Sequence, residues 1–183
     1  MPEKEIVQHC SPTLAGLKTG NIFLHGYSSK SDLQRDIEQW NTRLGKKGVR
    51  FAALRMRNGR ALIYAYRVSQ LKETLSDAEI VSFLTESGYP SGHLEECLAC
   101  LSGRLASEET FPHEIGVFLG YPLGDIKAFI TNGGANYKCL GCWKAYENEQ
   151  AAKRTFAKYR KCTQIYCKKY AGGTGVDRLT VAL

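Results

Sequence analysis

Apolar residues recur at helical spacing at Leu33, Ile37, Trp40 and Leu44, which predicts a helix capped by Ser31 or Asp32 and ended by the glycines of residues 45–48. The pattern then changes to that of strands. Val49–Arg57 and Arg60–Arg67 flank Asn58-Gly59, and a type I′ turn needs positive φ at both central positions, so this stretch predicts an antiparallel hairpin. Upstream, residues 5–17 read as helical in part. Ser11-Pro12 is expected to break that helix, with Ser11 capping a new turn and Pro12 at its first position, and residues 21–27 follow as a short strand. Downstream, helices are expected over 71–75, 77–87 and 92–105, with Gly88-Tyr89-Pro90 as the break. Two short helices, 113–119 and 123–130, lie on either side of Gly120-Tyr121-Pro122 and are closed by Asn132-Gly133-Gly134. A strand over 137–146, a long helix over 149–170 and a final strand over 179–183 complete the pattern. The expected fold is α+β and a single domain over 1–183. Its mixed or antiparallel sheet has four or five strands packed by about six helices.

Composition narrows the class. The 183 residues are 43% hydrophobic and 23% charged, close to ordinary globular proteins and far from disordered or fibrous chains. The longest uncharged stretches are shorter than a membrane span, and the Met-Pro-Glu-Lys-Glu start has no signal-peptide apolar region. A cytoplasmic protein is expected, with its seven cysteines reduced; an odd number cannot all pair within one chain.

Charge is divided unevenly. Residues 1–150 hold 17 basic and 17 acidic residues, whereas residues 151–183 hold eight basic residues against Asp177 alone. Lys153, Arg154, Lys158, Arg160, Lys161, Lys168 and Lys169 punctuate a helical pattern in which Phe156, Tyr159 and Tyr166 supply the apolar stripe. Such a helix attracts an anion: an acidic redox protein, a phosphorylated ligand or a nucleic acid. A solvated helix with its aromatics packed inward satisfies the same pattern.

Two motifs suggest chemistry. In His9-Cys10-Ser11-Pro12-Thr13-Leu14-Ala15-Gly16-Leu17-Lys18, a helix starting at Ser11 puts Cys10 at its N-terminus, where unpaired N–H groups and the helix dipole stabilise a thiolate. His9 and Lys18 add to that effect, and Gly16 lets a ligand approach the backbone. A buried, inert cysteine is the plainer alternative. In Phe111-Pro112-His113-Glu114-Ile115-Gly116, Pro112 suits a helix start, which puts His113 and Glu114 in the first turn. A neutral imidazole there serves as general base for Cys10 if the fold brings the two together. Otherwise the pair simply caps the helix.

The strings HCSPTLAGLKTGN, FPHEIGVFLGYPLGDIKAFI and NYKCLGCWKAY resemble an uncharacterised domain-of-unknown-function family of anaerobic Firmicutes, marked by a Pro-His-Glu motif followed by Gly-Tyr-Pro. The resemblance spans nearly the whole chain. It implies one domain, a cytoplasmic setting and anaerobic metabolism linked to flavodoxin, iron or haem, and the family lends no reaction. It directs attention to Cys10, Thr13, Gly16, Lys18, His113, Glu114, Gly120 and Tyr121.

Other classes compete. Residues 115–131 follow a helix-turn-helix pattern, although the second helix carries only Lys127 and Thr131 as groups able to meet DNA, with Asp125 repelling phosphate. Cys139-x-x-Cys142 and Cys162-x-x-x-x-Cys167 approximate the spacing of a four-cysteine zinc or iron–sulfur site. On regular elements, however, the members of each pair diverge. Cys97 and Cys100 are expected to fill core, and Tyr64, Tyr66, Trp143 and Tyr146 to be sheet aromatics. The leading expectation is a thiol-centred enzyme or redox protein in which Cys10 is the nucleophile or redox group, His113 the base, and Glu114 or Lys18 the electrostatic partner. His9, Thr13, Gly16, Gly120 and Tyr121 line its ligand site. The cofactor is left open.

Overall fold

Asn58 and Gly59 adopt φ of 51° and 71°, and the strands they join are β2 (Val49–Arg57) and β3 (Arg60–Arg67), the hairpin expected from the sequence. The computed structural model describes residues 1–91, 93–107 and 111–183. β1 (Gly20–Gly26) pairs antiparallel with the other side of β3, from Gly20 opposite Tyr66 to Gly26 opposite Arg60, giving the order β1-β3-β2. A bulge between Ala53 and Arg55 shifts the register of β2, and Leu54 there is buried.

β3 is buried from Ala61 to Arg67 because both faces of the sheet are covered. Ala61, Ile63 and Ala65 join the core under α1 (Glu3–Leu14) and α2 (Lys30–Gly45). Leu62, Tyr64 and Tyr66 face the opposite core, formed with α3 (Val68–Ser76), α4 (Ala78–Glu86), α5 (Leu94–Ser107), α6 (Ile115–Phe118) and α7 (Leu123–Thr131). The stacked rings of Tyr64 and Tyr66 are 4.9 Å apart, and the Tyr64 hydroxyl donates to the Phe118 carbonyl. The chain continues as a small hairpin, β4 (Cys139–Leu140) and β5 (Lys144–Ala145), then α8 (Glu149–Ala171) and α9 (Val176–Leu179). Among the described residues the fold is α+β, with nine helices, a three-stranded antiparallel sheet and a two-stranded one. The expected start of α5 at Gly92 lies outside the described residues.

Three local expectations are corrected. Pro12 does not break α1. It sits in the last turn, where the missing N–H removes a single helical bond, and Ser11 donates back to the Val7 carbonyl instead of capping a new helix. Residues 137–146 form two two-residue strands rather than one long strand, turning at Gly141, where a Cβ would lie 2.2 Å from the Phe156 ring. Residues 179–183 do not form a strand. The tail leaves α9 and is held by Arg67, whose fully buried guanidinium donates to the carbonyls of Thr13 (2.7 Å), Leu14, Lys47 (2.8 Å) and Val181 (2.7 Å), while the Val181 N–H donates to Leu14 (3.0 Å). A cation on the last carbonyls of α1 also complements the negative end of that helix.

Candidate functional site

The last turn of α1 and the loop into β1 carry Lys18 to the wall of a cavity of about 480 Å³. The side chain is 6% exposed, and its ammonium donates to the Gly20 carbonyl (2.8 Å) and lies 5.2 Å from the centre of the Tyr121 ring. Among the described residues no carboxylate pairs with it. Burial lowers its pKa to about 8, opposed by its proximity to the thiols of Cys142 and Cys10. Burial in turn raises both thiols, so neither is a standing anion for Lys18 at neutral pH.

The same cavity is lined by His9, Asn21, Tyr159, Arg160, Thr163 and Gln164, with Pro12, Tyr121 and Cys142. The exposed His9 ring stacks flat on Phe23 at 5.3 Å, and Thr13 beneath it donates to the Asn21 side-chain oxygen (2.8 Å). Burial pushes the Tyr159 phenol up to about 12. Arg160 stands exposed on α8 at the cavity wall. Ile22 and Leu119 complete a wall that is more apolar than polar, and the charges on it, Lys18 and Arg160, are positive.

Tyr121 and Cys142 also line a second cavity of about 270 Å³, which is mostly apolar: Phe111, Phe129 and Trp143, with Ile126 and Leu140, beside His113. The Tyr121 hydroxyl donates to the Cys142 carbonyl (2.8 Å), and its ring lies 5.1 Å from that of Trp143. These contacts make the β4–β5 turn a shared partition between the two cavities. Asp125 of α7 holds the partition in place: its buried carboxylate accepts from Trp143 Nε1 (2.7 Å) and from the backbone N–H groups of Tyr146 (2.7 Å) and Glu147 (3.0 Å).

Cys10, expected at a helix start, lies inside α1 and is fully enclosed in the core beneath it. Without a helix N-terminus beside it, burial dominates and pushes its thiol far up, against the pull of Lys18. His113 is exposed on the wall of the smaller cavity, its ring edge-on to Phe129 at 4.9 Å, so the structure does not bring the two together. Glu114, 7% exposed, accepts from the Tyr89 hydroxyl (3.2 Å) and pairs with Arg104 instead of orienting His113. Gly16 carries φ of 71° beneath Leu183, and Gly120 packs against Thr19. Of the expected set, Lys18, His9 and Tyr121 share the larger cavity, with Thr13 bound to its wall residue Asn21.

The four cysteines considered as metal ligands are dispersed. Cys139 packs with Ala152 and Phe156, Cys142 is exposed between the cavities, Cys162 is buried on α8, and Cys167 packs against the core under α1. Among the described residues no group of three or more His, Cys, Asp or Glu is placed to hold a metal ion. The two elements of the helix-turn-helix pattern, α6 and α7, are present, but Asp125 turns one side of α7 into the β4–β5 hairpin. Lys127, Ile130 and Thr131 are left on its exposed side. All seven basic residues of α8 between 153 and 169 are exposed, while Phe156, Tyr159 and Cys162 face inward.

Sequence reasoning missed Asn21, Tyr159 and Arg160 as cavity residues, and Asp125 as the anchor of the partition. The one carboxylate of the helix Leu123–Thr131, beside the apolar Ile126, was the available signal for Asp125. No helix among the described residues is long and apolar enough to cross a membrane. Residues 6–180 match a protein-family model described as a protein of unknown function (DUF3793). No curated protein and no solved structure matches the chain.

Proposed function

The chain belongs to that family of unknown function, and from the chemistry of its site we propose that it binds a small anionic molecule in the Lys18 cavity, with Cys142 as the thiol that meets the ligand. One observation carries the reading: an ammonium buried in a cavity wall with no carboxylate partner among the described residues. Burying an unpaired charge is costly, and an anion in the cavity supplies the missing partner. Arg160 offers a second cation, and Asn21 and Gln164 offer neutral hydrogen-bonding groups. The apolar cavity beyond Tyr121 and Cys142 suits an apolar part of the same ligand. The charge excess of the C-terminal end has a matching part: the exposed basic face of α8 raises the local concentration of anions beside the cavity.

The thiol chemistry expected of Cys10 passes in this reading to Cys142, which reaches the cavity whereas Cys10 does not. A reducing, cytoplasmic compartment is the matching setting, since all seven cysteines are free. Iodoacetamide labelling read by peptide mass spectrometry tests the assignment, with phenyl phosphate as the anionic probe. Cys142 is expected to be alkylated well before Cys10, phenyl phosphate to slow Cys142 at least severalfold, and Lys18→Met to abolish that protection. Rapid labelling of Cys10, or protection that survives Lys18→Met, overturns the reading.

A further inference from the structure

The side chain that lines the larger cavity with its charge is also a primary amine, the only nitrogen nucleophile of that kind among the described residues of the lining. It is held by one backbone carbonyl at 2.8 Å, which leaves the remaining valences of the nitrogen unassigned to protein acceptors. An amine used only for charge is served equally well by an arginine, which is planar, permanently protonated and less costly to bury in a paired site. We propose that Lys18 condenses with a carbonyl-bearing anion, a small aldehyde acid or 2-oxo acid, to form an imine in this cavity. The inference rests on the anion-binding reading and names its ligand class.

The chemistry needs no co-reactant. The lone pair of neutral Lys18 Nζ attacks the carbonyl carbon, a C–N bond forms as the C=O π bond breaks, and one of the two amine protons passes to the oxygen to give a neutral carbinolamine. A second proton then goes to that oxygen, the C–O bond breaks and water leaves, and the iminium releases the last nitrogen proton, which replaces the one taken up, so one water is lost overall. The wall supplies groups for both ends of this sequence. His9, exposed at the cavity and stacked on Phe23, is placed to give and take the proton on the departing oxygen, and Arg160 meets the carboxylate. Tyr121 is already committed as a donor to the Cys142 carbonyl, so its ring packs beside the amine and its hydroxyl is not the acid. The fraction of neutral amine follows from burial: a lysine with pKa about 8 is free in about a tenth of molecules at pH 7, against well under a hundredth for an ordinary surface lysine.

The test uses the wild-type chain with glyoxylate, an aldehyde bearing a carboxylate, and cyanoborohydride to trap the imine as a carboxymethyl amine. Peptide mapping at pH 7.5 is expected to find Lys18 modified roughly tenfold faster than the exposed Lys153 and Lys161. Lys18→Arg, which keeps a cation and removes the condensable amine, is expected to lose that adduct while the surface lysines react unchanged. Labelling of Lys18 no faster than Lys153 overturns the proposal. Protection of Cys142 by phenyl phosphate separates the two failures. With protection and no Lys18 adduct, the anion site stands and the condensation falls; with neither, both fall.

Discussion

A lysine enclosed by apolar and neutral groups destabilises the fold at neutral pH, and Lys18 gives that cost a definite pH dependence. Its pKa falls from an ordinary value near 10.5 to about 8, so the folded state binds fewer protons than the unfolded chain between those values, and stability rises with pH across that window. Below about pH 8 the full penalty is present. Replacing the ammonium with an apolar side chain of similar length removes it. Lys18→Met is expected to stabilise the protein at pH 7 by up to about 3 kcal/mol, with the gain shrinking toward zero as pH rises from 8 to 10.5. Urea titrations of both proteins at several pH values check this, and a variant destabilised equally at every pH contradicts it. The residue type and the neighbourhood of Lys18 were legible in the sequence; its lack of a carboxylate was not, because that depends on what β1, Tyr121 and the β4–β5 turn bring to it. Cys10 shows the reverse. Its sequence context suggested an activated thiol, but that activation required a helix beginning at Ser11, and α1 instead runs through Pro12 to Leu14, so Cys10 lies in its interior.

At the scale of elements, the strands and helices that bury one face against a core were readable, and those fixed by a single polar contact were not. The β2–β3 hairpin follows from Asn58-Gly59, and α2 from its repeat of Leu33, Trp40 and Leu44. The β4–β5 hairpin follows instead from Asp125, whose carboxylate gathers two backbone N–H groups and the Trp143 indole from a segment about 20 residues away. Periodicity within 137–146 cannot report a contact with α7. Since each buried donor left unpaired costs about 1–3 kcal/mol, Asp125→Ala is expected to destabilise the protein by about 2–4 kcal/mol. It is also expected to loosen the partition between the two cavities. In a Trp40→Phe background, the emission of Trp143 is expected to shift to the red in Asp125→Ala as the indole N–H loses its partner and gains water. Unchanged emission and stability contradict the anchoring role.

At the scale of the whole molecule, a three-stranded sheet covered on both faces explains why β3 reads as a nearly continuous apolar run ending in a buried arginine. The α+β class was visible in that alternation of patterns. The course of the C-terminal tail was not, because Arg67 binds four carbonyls from three separate parts of the chain, and no local rule links Lys47, Val181 and the end of α1. That clamp closes the chain onto α1, while α8 packs along α1 and sends its cations outward beside the Lys18 cavity. Lys18, with no carboxylate partner among the described residues, thus shares its cavity with Arg160 of this basic helix, and the proposed anion site rests on that pair of cations. The most direct measurement is an NMR titration of the Lys18 side-chain amine, with isotope-labelled lysine and assignment by Lys18→Arg, in the free protein and with saturating phenyl phosphate. A pKa of about 8 in the free protein, rising when the anion binds, is the predicted result. A pKa near 10.5 that the anion does not move would contradict it.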